Sequence, residues 1–211
     1  MIARGSRHPN GTGTAGPCVR VVDTPLGAMR LQAEGGALTG AWFLDQRDCP
    51  AMPEPAAEAS PSPDAGGRDS RSAEDAVLDQ AVRELAEYFA GRLRAFSLPM
   101  APQGTPFQRR VWDALRDLDF GVLESYGALA QRCATPAAVR AVAQAVGRNP
   151  ISIFIPCHRV VGADSALTGF GGGLHRKQAL LALEGHAYAS PVRQARRAQQ
   201  DPRQGSLWDS P

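Results

Sequence analysis

The stretch "SYGALAQRCATPAAVRAVAQAVG", residues 125–147, decides the architecture of the second half of the chain. Ser125 is an N-cap residue type, whose hydroxyl accepts from an otherwise unpaired amide in the first turn of a helix running through Cys133. "ATP" then makes a turn in which Thr135 caps and Pro136 takes the first position of a second helix, where a missing N–H removes nothing. Helix, tight turn, helix is the shape of a DNA-binding helix-turn-helix. The same pair occurs in helical proteins that never touch DNA, so the shape alone leaves binding open. The second helix adds a detail: between Ala137 and Val146 its single charge is Arg140, set among alanines and valines. A face bearing Ala137, Ala138 and Ala141 fits closely into a shallow, narrow groove, with Arg140 as probe or wedge.

Upstream of this stretch the pattern falls into two parts. "SLPMAPQGTP" (97–106) carries three prolines and a glycine and reads as a domain boundary. Thr105-Pro106 caps a helix whose Phe107, Val111, Leu115 and Leu118 form one stripe, ended by Phe120-Gly121. Ahead of the boundary, Leu78, Val82, Leu85, Phe89 and Leu93 recur at helical spacing from Glu74 onward. Ahead of that, 19–22, 29–33 and 40–44 read as short strands separated by turn signals, an antiparallel meander. The expected organisation is a disordered 1–16, an N-terminal domain over 17–100 with a flexible loop at 50–73, a C-terminal domain over 104–188, and a disordered basic tail over 189–211.

With 211 residues, 43% of them apolar, the chain has enough material for two small cores. Cys18, Cys49, Cys133 and Cys157 lie far apart with no CxxC pair, which excludes a zinc ribbon and argues for reduced thiols rather than a disulfide framework. The N-terminus lacks an apolar h-region, and no segment approaches the ~20 apolar residues of a membrane span. The expectation is a soluble cytoplasmic protein without membrane contact. Residues 1–104 hold 10 Arg against 13 Asp and Glu, and residues 105–188 hold 9 Lys and Arg against 6 acids. A mildly basic C-terminal half permits nucleic-acid contact without demanding it.

The chemistry concentrates in "ISIFIPCHRVV", residues 151–161, where an apolar run closed by Pro156 delivers Cys157 next to His158. A cysteine entered from a buried segment and forced to turn is positioned rather than free. Three uses are open to it: an inert buried thiol, a metal ligand, or a nucleophile. His158, directly or through one water, can take the thiol proton, since the thiolate is the reactive form. Metal binding fails on count, because His8, His175, His186 and the other cysteines fall into no ligand spacing. Glu184, at the end of the apolar "LLALEG", is a candidate to orient the imidazole, or else a solvated helix-end acid. "GFGGGL" (169–174) matches no nucleotide fingerprint; its glycines bring backbone amides near a ligand or make a turn.

"TPFQRRVW", "SYG", "VRAVAQAVGRNP", "IPCHRVVG" and "GFGGGLHRKQALLALEG", in this order over 105–185, closely resemble the O6-alkylguanine-DNA alkyltransferases, also called methylated-DNA–protein-cysteine methyltransferases. "DTPLGAMRL" resembles the start of that family's first domain. The resemblance implies an α+β fold: a small RNase H-like α/β domain, then a helical domain with a winged-helix-like helix-turn-helix. It implies Cys157 as alkyl acceptor, His158 as water-linked base, Glu184 as the acid orienting it, Asn149 as brace of the cysteine loop, and Tyr126 as donor to the departing guanine. Arg140 would fill the gap left by a flipped nucleotide, with Tyr126, Ala137, Ala138, Ala141 and Gly171 also at the DNA. The implied partner is double-stranded DNA containing O6-alkylguanine, bound through the minor groove by a monomer without metal or cofactor. Asp119, Ala134, Ala143, Ser165 and Phe170 stand where that family commonly has proline, glycine, glycine, glycine and tyrosine. A binding-only alkyltransferase-like protein and a cysteine hydrolase are the rival readings; the first lacks the acceptor cysteine, and the second leaves Arg140 and the paired helices without a use.

Overall fold

The structure, a computed structural model, describes residues 16–51, 68–134 and 136–187. The expected terminal tails, most of the 50–73 loop and the Thr135 cap lie outside the described residues. The chain begins with an antiparallel meander, β1 (Cys18–Val22), β2 (Met29–Glu34) and β3 (Ala37–Phe43), in that order across the sheet. Strand β3 starts three residues ahead of the expected position, because the β2–β3 turn consumes only Gly35 and Gly36. Alternate residues Met29, Leu31 and Ala33 of β2 join Leu38, Ala41 and Phe43 of β3 in the core.

Helix α1 (Arg68–Phe89) packs Val77, Leu78, Ala81, Leu85 and Tyr88 into the same core. It begins six residues ahead of Glu74, so 68–73 is helix rather than loop; an amphipathic pattern locates the part of a helix that packs, not its end. It also ends before Leu93. Gly91 takes φ 72, Arg92 N–H reaches Glu87 O at 2.9 Å and Gly91 N–H reaches Tyr88 O at 2.9 Å, the bond pair of a Schellman stop. Leu93 still packs against the core from beyond that stop.

Helix α2 (Pro106–Arg116) carries a full capping box: Gln108 N–H donates to Thr105 Oγ1 at 3.2 Å, and Thr105 N–H donates to Gln108 Oε1 at 2.9 Å. Trp112, which the sequence stripe omits, is buried and donates Nε1–H to Ala145 O at 2.8 Å. Strand β4 (Glu124–Ser125) leads into α3 (Tyr126–Cys133), whose N-cap is Ser125, accepting from Ala128 N–H at 3.1 Å. The second helix of the pair differs from expectation: Pro136–Ala138 is a 3-10 turn, and α4 (Val139–Gly147) starts at Val139 with no side-chain cap. Strand β5 (Val160–Val161) pairs with β4 in parallel, and α5 (Leu174–Leu183) closes the fold. One of the residues that depart from the familiar family pattern sits where glycine is the easier choice: Ser165 has φ 58.

The edge of β3 takes up the domain boundary and then the segment ahead of Cys157. Leu38 N–H donates to Pro99 O and Ala101 N–H to Leu38 O, both at 2.9 Å; Ala41 N–H donates to Pro150 O and Ser152 N–H to Ala41 O, both at 2.8 Å. The segment leading to Cys157 is thus paired to the N-terminal sheet. Because Gly91 holds a left-handed conformation, Gly91→Ala is expected to lower unfolding free energy by about 1 kcal/mol, read from urea denaturation.

Candidate active site

The backbone that presents Cys157 is bent against its preference and tied in place. Residues 151–155 are all buried and turn back on themselves, Ile155 N–H donating to Ile151 O at 3.0 Å, with Ile153 forced to φ 75. A β-branched residue in that region stores about 1–3 kcal/mol of strain. Asn149 is the tie. Its Oδ1 accepts from Ile151 N–H at 3.0 Å, and its Nδ2 donates to Ile155 O at 2.9 Å and to Cys157 Sγ at 3.1 Å. Residues Cys157–Arg159 then form a 3-10 turn that leaves Cys157 only 6% exposed.

His158, fully buried, is bonded through Nε2 to Glu184 Oε1 at 2.9 Å. Glu184 is no solvated helix-end acid: it is 6% exposed at the C-cap of α5 and accepts five hydrogen bonds. Arg159 supplies two, Nε to Oε2 and Nη2 to Oε1, both at 2.9 Å; Tyr88 Oη–H reaches Oε1 at 2.8 Å, and Gly121 N–H reaches Oε2 at 3.1 Å. A carboxylate partner makes Nε2 the protonated ring nitrogen, so Nδ1 carries the lone pair. That Nδ1 is buried and meets no hydrogen-bonding partner among the described residues.

Three residues of this centre escape the sequence reading. Arg159 was signalled by a charge inside the apolar "CHRVV", and Tyr88 by its place three residues after Leu85 on the buried side of α1. Lys177, the chain's one lysine, is fully buried and reaches Val160 O, and Thr168 O at 2.7 Å, fastening β5 to the loop that precedes α5.

Burial pushes the Cys157 thiol above its ordinary range, partly countered by the Asn149 bond and the Lys177 charge. Burial pushes His158 below its ordinary value against the opposing pull of Glu184, and brings Lys177 down to about 8. Burial pushes the Glu184 carboxyl upward, but the His158 and Arg159 hydrogen bonds and their charge outweigh it and hold it well below the usual carboxylate range. The centre thus holds a neutral thiol, a neutral imidazole with a free lone pair, and a fixed carboxylate that stabilises the imidazole once it is protonated.

Strands β4 and β5 pair Glu124 with Val160 and Ser125 with Val161, which ties the start of α3 directly behind the cysteine turn. Tyr126, the first residue of α3, is half-buried and hydrogen-bonded with the Thr168 side chain; burial raises its hydroxyl above the ordinary value. On the outer side of the pair, Ala137, Arg140 and Ala141 are exposed, whereas Ala138 is half-buried against the core. Gly171 is exposed in the loop before α5, where a Cβ would stand 2.7 Å from Gln46 Nε2 of the N-terminal domain. Cys18, Cys49 and Cys133 are half-exposed free thiols outside this centre. Among the described residues, no group of three or more His, Cys, Asp and Glu is placed to hold a metal ion.

Neutralising Glu184 strands Arg159 as a buried unpaired charge, so Glu184→Gln is expected to lower unfolding free energy by about 3 kcal/mol at pH 7. Because the folded carboxyl is held below its unfolded value, wild-type stability from this group is complete above about pH 4.3 and drains as pH falls further. Urea unfolding of both proteins between pH 7 and pH 3 checks this: the gap between them narrows below pH 4.3.

Two family models match the chain in succession: a 6-O-methylguanine DNA methyltransferase ribonuclease-like domain over residues 19–102, and the corresponding DNA-binding domain over residues 106–186. A methylated-DNA–protein-cysteine methyltransferase of Mycolicibacterium paratuberculosis is 42% identical over 165 residues, 78% of this chain and 90% of that one. The constitutive methyltransferase of that name from Bacillus subtilis is 40% identical over 159 residues, 75% of this chain and 89% of its own. The crystal structure of a Mycobacterium tuberculosis relative in complex with DNA superimposes with a TM-score of 0.63 at 40% identity, covering 79% of this chain and 91% of that one. No helix among the described residues is long and apolar enough to cross a membrane. Both domains and nearly the full length of these relatives are matched, and the chain belongs to the 6-O-methylguanine DNA methyltransferase family.

Proposed function

We propose that this protein repairs DNA by moving the alkyl group of O6-alkylguanine onto Cys157, once per molecule. The observation that carries the reading is the bonding pattern of His158: Nε2–H held by Glu184 at 2.9 Å, Nδ1 buried with its lone pair unused, and Cys157 next to it in a turn braced by Asn149. The relatives named above carry the activity in their names, and one of them is described in complex with DNA.

The steps follow from the residues. A thiol whose burial keeps it protonated needs a base, and His158 Nδ1 takes the proton through one water. The thiolate attacks the alkyl carbon, the C–O bond breaks, and its electron pair departs on the guanine oxygen. Tyr126, whose hydroxyl burial keeps protonated, donates to the leaving base and stabilises its developing charge. The alkyl carbon lies inside the duplex, so the nucleotide must first swing out. Exposed Ala137 and Ala141 let the helix pair approach the minor groove, and Arg140 occupies the space that the flipped nucleotide leaves. Gly171, exposed in the loop before α5, meets the DNA without a side chain.

The product is an unactivated thioether, for which the site holds no expelling group. Intact-protein mass after incubation with O6-methylguanine duplex is expected to show a gain of one methyl per chain that stops at one equivalent, and Cys157→Ala is expected to gain none while still binding the duplex. Continued turnover would indicate hydrolytic cysteine chemistry instead, and binding with no methyl gain by the unaltered chain would indicate a recognition protein.

Arg140 is needed only to hold the base out of the stack, a matter of a few kcal/mol. Arg140→Ala is therefore expected to slow transfer from duplex DNA at least tenfold more than transfer from the free O6-benzylguanine base. Equal slowing of both would assign Arg140 a structural part.

A further inference from the structure

We propose that Tyr88, a residue of the N-terminal domain, is a positioning residue for the cysteine chemistry: its hydroxyl takes up part of the Glu184 charge and so sets how strongly His158 draws the proton from Cys157. The proposal rests on the reading of His158 as the base of Cys157. Tyr88 lies 96 residues ahead of Glu184 on α1, yet its Oη–H meets Glu184 Oε1 at 2.8 Å. The same oxygen accepts from His158 Nε2 and from Arg159 Nη2, both at 2.9 Å. Three donors compete for one oxygen's lone pairs, so the strength of any one bond depends on the other two.

The tyrosine is held for that contact and for no visible packing need of its hydroxyl. It is 1% exposed, and its ring lies 5.5 Å from Phe89, 5.4 Å from Phe96 and 6.2 Å from Phe120, centroid to centroid. A phenylalanine fills that aromatic nest equally well. Burial and the nearby Glu184 charge push the hydroxyl above its ordinary value, so it remains a donor.

The charged and titratable groups around this chain of contacts are few. Glu184 is faced by Tyr88 from α1, by the Gly121 amide, and by His158 and Arg159 from the cysteine turn. His158 is faced by Glu184, Arg159 and Lys177, and Cys157 by Asn149, Lys177 and Tyr126. Removing the Tyr88 donor leaves more negative charge on Oε1, strengthens the Nε2–H bond to it and makes Nδ1 more basic. The proton leaving Cys157 Sγ settles on Nδ1 more readily, and the thiolate fraction rises.

The test uses the full chain and iodoacetamide, which reports the thiolate without DNA and without Tyr126. Tyr88→Phe is expected to raise the alkylation rate of Cys157 at pH 7, followed by peptide mass, about threefold, equal to half a pH unit in the His158 titration. In a His158→Gln background, where the rate is already lower, the same change is expected to do nothing. A Tyr88→Phe rate equal to wild type, with His158→Gln still slower, overturns the inference and leaves the His158 reading standing. Equal effects of Tyr88→Phe in both backgrounds mean a structural route and also overturn it. If His158→Gln alone leaves the rate unchanged, the reading of His158 as base falls and takes the inference with it. Should the Phe variant not fold, 3-fluorotyrosine at position 88, a stronger donor of the same shape, is expected to slow alkylation about twofold; no change there overturns the proposal.

Discussion

One buried charge organises this molecule. Glu184 sits 6% exposed at the end of α5, and an ionised carboxylate removed from water costs several kcal/mol unless hydrogen bonds replace the solvent. Five donors from three separate parts of the chain supply that replacement: Tyr88 from α1, Gly121 from the turn after α2, and His158 with Arg159 from the cysteine turn. None of these segments is held near the others by local structure. The carboxylate is the point at which they agree, and the position of His158, and with it the geometry around Cys157, follows from that agreement. Arg159 extends the reach by donating to Leu118 O at 2.6 Å, which ties the C-terminal end of α2 to the same centre.

The N-terminal sheet contributes backbone where the carboxylate contributes charge. Strand β3 lends the edge not paired with β2 to residues 99–101 at the domain boundary and to residues 150–152 of the C-terminal half, so the sheet and the segment leading to Cys157 complete each other's hydrogen bonding. That pairing starts the strained turn through Ile153, and Asn149 finishes it. A second clamp joins the domains around the loop before α5: Arg176 donates to Leu26 O at 2.7 Å and to Gly172 O at 2.8 Å, pairs with Asp45 at 2.9 Å, and lies 4.2 Å over the Phe43 ring. The loop bearing Gly171 is thus fixed from the N-terminal side as well.

What could be read from the sequence was local. The Thr105 and Ser125 caps, the meander, the helix pair and the candidate residues Cys157, His158 and Glu184 announce themselves through capping chemistry, periodicity or an unusual neighbour, Asn149 follows from the family resemblance alone, and the structure brings those four residues together. What could not be read was long-range. Tyr88 looks like any aromatic on an apolar helix face, and its hydroxyl gains meaning only from a partner 96 residues away. Lys177 carries no pattern at all; its carbonyl partners belong to segments whose meeting no spacing rule foretells. The early start of α1 and the 3-10 turn at Pro136–Ala138 were hidden for a different reason. Polar and alanine-rich residues leave the backbone state to be decided by the surrounding fold.

The cysteine centre and the outer side of the helix pair differ in how much change they tolerate, and the cause is physical. Around Cys157 the side chains of Asn149, His158, Arg159 and Glu184 are buried and bonded to one another or to the turn, so altering one member leaves another unpaired in a medium where that is costly. On the outer side of α4 the side chains of Ala137, Arg140 and Ala141 are exposed, and the helix is carried by α2 through Val142, Ala145 and Trp112 from beneath. Substitutions on the outer side of α4 therefore alter an exposed face while leaving the hydrogen bonds around Cys157 in place. The link between the two surfaces is the short β4–β5 pairing, which fixes Tyr126 relative to Val160 and Val161 and leaves the exposed side free. A densely bonded cysteine centre behind an exposed helix face follows from that one parallel pair.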